Sequence, residues 1–253
     1  MDDPSQPQKF GPVGQCIYCG CTDELSIEHI VPKGLGGRYE LHGASCEACG
    51  GITSNIEGIV MRGLYHAPRA RLGLLSKKRK NEHPAEWPVE IDFGTSTEPK
   101  AIPIAEHPTV LIGPVLSVPT ILLGIPKSED TRLYLATRPL NPDRDAVRVL
   151  GPNVKVSARY DGIAYARMLA KIGHAYAWAK LGHEFKPILN DLILNKPQDF
   201  PIDVIGGTME LPAHGTQLHE IELLPEWEGY LVVRLRLFSA LQMPIYYVVV
   251  GKP

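Results

Sequence analysis

Two Cys-x-x-Cys pairs, Cys16–Cys19 and Cys46–Cys49, stand near the start of a 253-residue chain, with residues 20–45 between them. Each pair offers two thiolates on one turn, and two such knuckles together complete a tetrahedral four-cysteine zinc site. A segment this short has little apolar material for a core of its own. Bound metal then supplies folding free energy directly. All five cysteines lie in the first fifth of the sequence, whereas a secreted disulfide scaffold would be smaller and would spread them more widely. The fifth, Cys21, is the alternative to Cys19 as a ligand. The two-residue spacing favours Cys19, which leaves Cys21 as a small core residue.

Composition sets the frame. A hydrophobic content of 44% is ample for a globular core, and a net charge of -2 carries no global nucleic-acid signature, so any basic surface must be local. The opening MDDPSQPQKF is polar and proline-bearing, without a secretory apolar region. The uncharged stretch from Pro108 to Pro126 contains Pro108, Pro114, Pro119 and Pro126, so it reads as short strands and turns, not as a membrane helix. A soluble, cytoplasmic protein without a membrane partner is expected, and a homo-oligomer is compatible with the sequence.

Texture divides the chain into a flexible leader (1–13), a cysteine module with a basic segment (14–83), a proline-rich linker (84–100) and a β-rich region around one long helix (101–253). The second knuckle opens a helix over about Cys46 to Leu64. Short strands are expected in Ile102–Ile125 and Arg132–Val156, with turns at Asn141-Pro142-Asp143 and Gly151-Pro152-Asn153. Tyr160–Leu181 is the strongest helix: Ile163, Ala166, Leu169, Ile172, Ala175 and Ala179 recur at spacings of three and four, and Gly182 suits the C-cap. Three strands are predicted to follow, at Leu218–Ile221, Tyr230–Phe238 and Ile245–Val250. In the middle one Leu231, Val233, Leu235 and Leu237 alternate with Val232, Arg234 and Arg236, a half-buried pattern.

Between the knuckles the sequence reads Ser26-Ile27-Glu28-His29-Ile30-Val31-Pro32-Lys33-Gly34-Leu35-Gly36-Gly37. Cys-x-x-Cys, then Glu-His-Ile-x-Pro with a Gly-Gly loop, then Cys-x-x-Cys opening a helix, resembles the zinc-knuckle branch of the HNH endonucleases. The match covers Cys16 to about Glu57. More loosely, the run through Arg71 and the Met168–Leu181 helix resemble a bacterial group of HNH proteins. The resemblance implies an α+β protein whose N-terminal module is a zinc-stabilised ββα-metal (HNH) unit. It implies a metal-dependent endonuclease that hydrolyses DNA phosphodiesters, with His29 as general base and Glu28 as ligand to a catalytic Mg²⁺ or Mn²⁺. The residue types suit that chemistry: a histidine near neutrality can take a proton from water, and a divalent cation can polarise the phosphate and steady the leaving oxygen.

Two positions depart from the family pattern. The residue after the last zinc cysteine, usually Asn or His and a metal ligand, is Gly50 here. The Asn that often precedes the second knuckle is also missing, with His42 and Ser45 the nearest polar residues. At 3.6 residues per turn Glu57 lies about 20° from Gly50 around the helix axis, Ser54 about 40°, Thr53 about 60° and Asn55 about 140°. Glu57 is the preferred substitute ligand, since a carboxylate suits a hard cation better than a hydroxyl. Residues 58–81 also carry Arg62, Arg69, Arg71, Lys77, Lys78, Arg79 and Lys80 without an acidic residue, which beside such a site would hold a DNA backbone. The alternatives are a catalytically weakened zinc-stabilised nucleic-acid-binding protein and a zinc module serving protein interactions only.

Overall fold

The computed structural model describes residues 7–75, 85–92, 96–126, 134–140, 154–155, 158–210 and 212–253. It is a mixed α+β molecule of several small sheets and few helices. Near the N-terminus, β1 (Gln8–Phe10) pairs in parallel with β3 (Tyr39–Ser45), and β2 (Ser26–His29) pairs antiparallel on the other side of β3. Residues 8–10, expected within a flexible leader, are therefore a strand. Its backbone ladder to Tyr39–Leu41 supplies the partner that local sequence could not reveal.

β3 runs into α1 (Glu47–Arg62), for which Cys46 is the extended N-cap and Gly63 the C-cap. Glu47 in the first turn and Arg62 in the last complement the helix dipole. The short α2 (His66–Arg71) follows. Residues 84–100, expected to be a linker, contain most of an antiparallel hairpin of β4 (Glu86–Asp92) and β5 (Thr97–Pro103). Next come β6 (Val110–Val115), the single-turn α3 (Thr120–Leu123), β7 (Tyr134–Pro139), paired with β6, and β8 (Val154–Lys155), paired with β4. The turns expected at 141–143 and 151–153 lie outside the described residues. Among the described residues no helix is long and apolar enough to cross a membrane.

The long helix is α4 (Gly162–Leu181), with Asp161 capping its start by accepting from the Ala164 amide at 2.9 Å and Gly182 ending it. A five-stranded sheet packs beneath it: β9 (Lys186–Pro187), β10 (Ile205–Gly207), β11 (His219–Leu223), β12 (Leu231–Leu237) and β13 (Tyr246–Lys252), with the short α5 (Asn190–Leu194) after β9. α4 lies on β12 and β13 with one side and against α1 with another. Periodicity predicts a single apolar stripe, but every residue from Ala164 to Trp178 is buried, because the helix is a middle layer covered on both sides. Gly173 makes the sheet contact possible: a Cβ there would stand 2.6 Å from Val248 Cγ1.

One continuous core links Cys16 and Ile17 of the cysteine module to α4 and to Val248 and Val250 of β13. The half-buried pattern expected for β12 is not what is observed. Val232 and Arg236 are buried as well, and Arg236 donates to the carbonyls of Met243 (3.0 Å) and Ala213 (2.6 Å), whose segments cover that face.

Candidate functional site

The first knuckle is a tight turn. The Gly20 amide donates to Cys16 O at 2.8 Å, and the Cys16 amide to Cys21 O at 2.7 Å. The second knuckle is the start of α1. β3 delivers Cys46 as its N-cap, so Cys49 stands one turn into the helix. The four sulfurs of Cys16, Cys19, Cys46 and Cys49 lie within 4.8 Å of one another, and Cys19 Sγ to Cys46 Sγ is 3.7 Å. Tetrahedral zinc with Zn–S near 2.3 Å would have sulfur–sulfur edges of roughly 3.8 Å. The cluster fits a structural metal such as zinc. The Cys49 backbone amide, pointing at Cys46 Sγ, leads the influences that lower the Cys46 thiol to about 7, whereas burial pushes the Cys49 thiol up. Cys21, expected to be a small core residue, is exposed, with its sulfur beside Asp23, because the turn that closes the knuckle directs it outward.

Strand alternation then separates Glu28 from His29. Glu28 pairs across the hairpin with Leu41 and points inward, whereas His29 pairs with Glu40 and points outward. On the outer face His29 Nδ1 is 3.9 Å from Glu40 Oε1, and His42 Nε2 is 3.6 Å from Glu40 Oε2. The histidine remains 34% exposed. Glu40 is the partner that motif reading missed, although its place in the register follows once the hairpin is known.

On the inner face Glu28 and Glu57 come together, but around a side chain from α4. Lys171 Nζ lies 2.5 Å from Glu28 Oε1 and 2.7 Å from Glu57 Oε1, and it also donates to the backbone carbonyls of His29 and Ile30, the latter at 3.3 Å. The lysine is 1% exposed. Burial, the largest single influence, favours the neutral amine, yet the two carboxylates outweigh it and hold the Lys171 pKa above its usual value. The buried Tyr18 phenol nearby is pushed well above its ordinary range by burial and then by Glu28 and Glu57. Of the other helix candidates, Thr53 is buried with its hydroxyl donating to Gly50 O at 3.2 Å, while Ser54 and Asn55 are exposed. The inner pair does not fit a catalytic Mg²⁺ or Mn²⁺ as it stands, because an ammonium already occupies the space between the two carboxylates.

α4 and its neighbours also grip the module by its backbone. His174 Nε2 reaches Ile17 O at 2.8 Å, Asn190 Nδ2 reaches Tyr18 O at 2.6 Å, and His219 Nε2 reaches Leu35 O at 2.8 Å. The one sequence signal for Lys171 was its position, three residues after Met168 and four before Ala175 on an apolar helix. A charge in phase with such a stripe needs a buried counter-ion.

Of the basic segment, Arg62, Arg69 and Arg71 are among the described residues. Arg62 is exposed. Arg71 donates to Ala105 O at 3.4 Å. Arg69 is buried, its guanidinium donating to Gly34 O at 2.7 Å and Met61 O at 3.3 Å, which fastens the glycine loop to the end of α1. Lys77, Lys78, Arg79 and Lys80 lie outside the described residues. Comparison of the chain with protein-family models, with curated proteins and with solved structures finds no match in any of the three.

Proposed function

We propose that this chain is an HNH-type nuclease that hydrolyses phosphodiester bonds of nucleic acid, DNA foremost, on the outer face of the β2–β3 hairpin. One observation carries the reading: His29, at the end of a hairpin feeding a helix through a four-cysteine cluster, is partly exposed with a carboxylate at its Nδ1 side. Glu40 favours the proton on Nδ1, so Nε2 keeps its lone pair and can take a proton from the attacking water. The four-cysteine cluster holds zinc and fixes the angle between hairpin and helix. Arg62 and the Lys77–Lys80 run supply backbone contacts. Such an enzyme would work in the cytoplasm.

His29→Ala should lower plasmid nicking by roughly 10²- to 10⁴-fold, the usual worth of a positioned acid–base group, while DNA affinity and zinc content stay unchanged. Nicking by the variant at the wild-type rate would remove His29 from the chemistry. Glu40→Gln should give a smaller loss, in rate and not in DNA affinity.

A second reading, nucleic-acid binding without cleavage, is favoured by the Lys171 ammonium between Glu28 and Glu57. Metal-independent DNA binding with no nicking in magnesium, manganese or nickel would select it, and neither binding nor nicking would leave a zinc module for protein contacts. For both DNA readings, neutralising Lys77, Lys78, Arg79 and Lys80 together should weaken binding to all sequences alike. The slope of log affinity against log salt should flatten by up to about 3.6, at about 0.9 for each phosphate that is no longer neutralised. An unchanged slope would place the DNA interface elsewhere.

A further inference from the structure

Four oxygens converge on the Lys171 head: two from the Glu28 and Glu57 carboxylates and two from the His29 and Ile30 carbonyls. A set made only of oxygens, two of them anionic, is what a hard divalent cation such as Mn²⁺, Mg²⁺ or Ca²⁺ selects. Two elements supply the oxygens, the end of β2 and the third turn of α1, and a third, the middle of α4, supplies the lysine. One turn further along α4, the neutral ring of His174 meets the Ile17 carbonyl. At Lys171 the helix inserts a positive charge.

We infer that the Lys171 ammonium is a built-in cation that occupies the oxygen nest of Glu28, Glu57, His29 and Ile30 and excludes a divalent ion from it. The head group is compact, strongly charged and rich in donors, and it touches all four oxygens that a metal would take. A divalent ion coordinated to the same two carboxylate oxygens would overlap the Nζ position, so ammonium and metal are alternatives. The lysine is fully buried on a helix covered on both sides. The chain thus carries metal at its thiolates and none at this pair. The cation that ties the carboxylates together also holds the carbonyls of His29 and Ile30 at the end of β2. The inference stands whether or not the chain cuts nucleic acid.

The test is Mn²⁺ binding to the full, zinc-loaded chain, read from the electron paramagnetic resonance signal of free Mn²⁺ and from the Mn²⁺ dependence of the thermal midpoint. Wild type should bind no Mn²⁺ at this pair. Lys171→Gln, which keeps a donor but removes the charge, should gain a Mn²⁺ site and a midpoint that rises with Mn²⁺. Lys171→Gln/Glu57→Gln should lose that site again. A Lys171→Gln chain that folds only when Mn²⁺ is present supports the inference equally, because the metal then replaces the missing charge. Three results overturn it: Mn²⁺ binding by wild type that Glu57→Gln removes, a folded Lys171→Gln chain that binds no Mn²⁺, or a Lys171→Gln chain that Mn²⁺ cannot restore. Activity enters none of these readouts, so failure here is distinct from failure of the nuclease proposal.

Discussion

With zinc on the four thiolates, which their geometry allows, chelating it or replacing Cys46 with serine should unfold the N-terminal module and loosen the helix packed on it. The stretch from Cys16 to Arg62 is held by a short hairpin, one helix and the four-cysteine cluster. Zinc bound by four cysteines contributes on the order of 10–16 kcal/mol of apparent free energy in small peptides at neutral pH. A whole domain is stable by only about 5–15 kcal/mol, so losing the metal removes a sum comparable with the total. The damage should spread. Tyr18, Ile30, Leu35 and Leu41 share a continuous core with Met168, Leu169 and Ile172, and removing the module would strand Lys171 without its carboxylates. Cys21→Ser is the matched control, since Cys21 is exposed and outside the cluster; its zinc content and unfolding midpoint should stay at wild-type values. Zinc analysis, far-ultraviolet circular dichroism and hydrogen exchange of the Cys46→Ser chain provide the measurement. A variant that keeps wild-type protection in α1 and α4 without metal would show that packing alone carries the module.

What the sequence reveals and what it hides divide by distance along the chain. The knuckle spacing, α1, α4 and the three C-terminal strands rest on local pattern, and each appears within a few residues of where periodicity and caps put it. The β4–β5 hairpin is hidden by Pro84, Pro88 and Pro99, which read as linker. Among the described residues β5 is an edge strand and β8 pairs with Glu90 and Ile91 of β4, so Pro88 and Pro99 interrupt little of the ladder. The convergence of Glu28 and Glu57 was approachable by helical arithmetic. Their shared partner was not, because Lys171 is 142 residues from His29 in sequence, and nothing in a motif announces which buried charge a distant helix will bring. The burial of Arg69 has the same cause: a charge run looks solvated until a glycine-loop carbonyl from another element takes one guanidinium.

Acid should destabilise this protein through two histidines that the fold keeps neutral. His219 donates from Nε2 to Leu35 O at 2.8 Å and accepts at Nδ1 from the Phe238 amide at 3.2 Å. A second proton on Nδ1 would face an N–H donor. His174 donates from Nε2 to Ile17 O, and its buried Nδ1 has no hydrogen-bond partner among the described residues. Protonation there would leave a charged donor unsatisfied in the core. Burial, opposed only by the single carbonyl each ring meets, lowers both histidines to about 4 from 6.5. The sign follows from linkage. Between pH 6.5 and 4 the unfolded chain binds protons that the folded chain refuses, so stability is complete above the unfolded pKa and is lost as pH falls toward the folded one. At about 1.36 kcal/mol per unit for each group, two histidines shifted this far account for roughly 7 kcal/mol. Urea unfolding at a series of pH values from 7.5 to 4.5, with released zinc followed in parallel, should show stability falling throughout that window. Because thiolate protonation also releases metal in acid, His219→Gln separates the causes. Its amide can still donate to Leu35 O but cannot titrate, so the pH slope should drop by about one proton while the pH of zinc release stays put. A His219→Gln chain with the full wild-type slope would assign acid lability to the metal cluster and not to the buried rings.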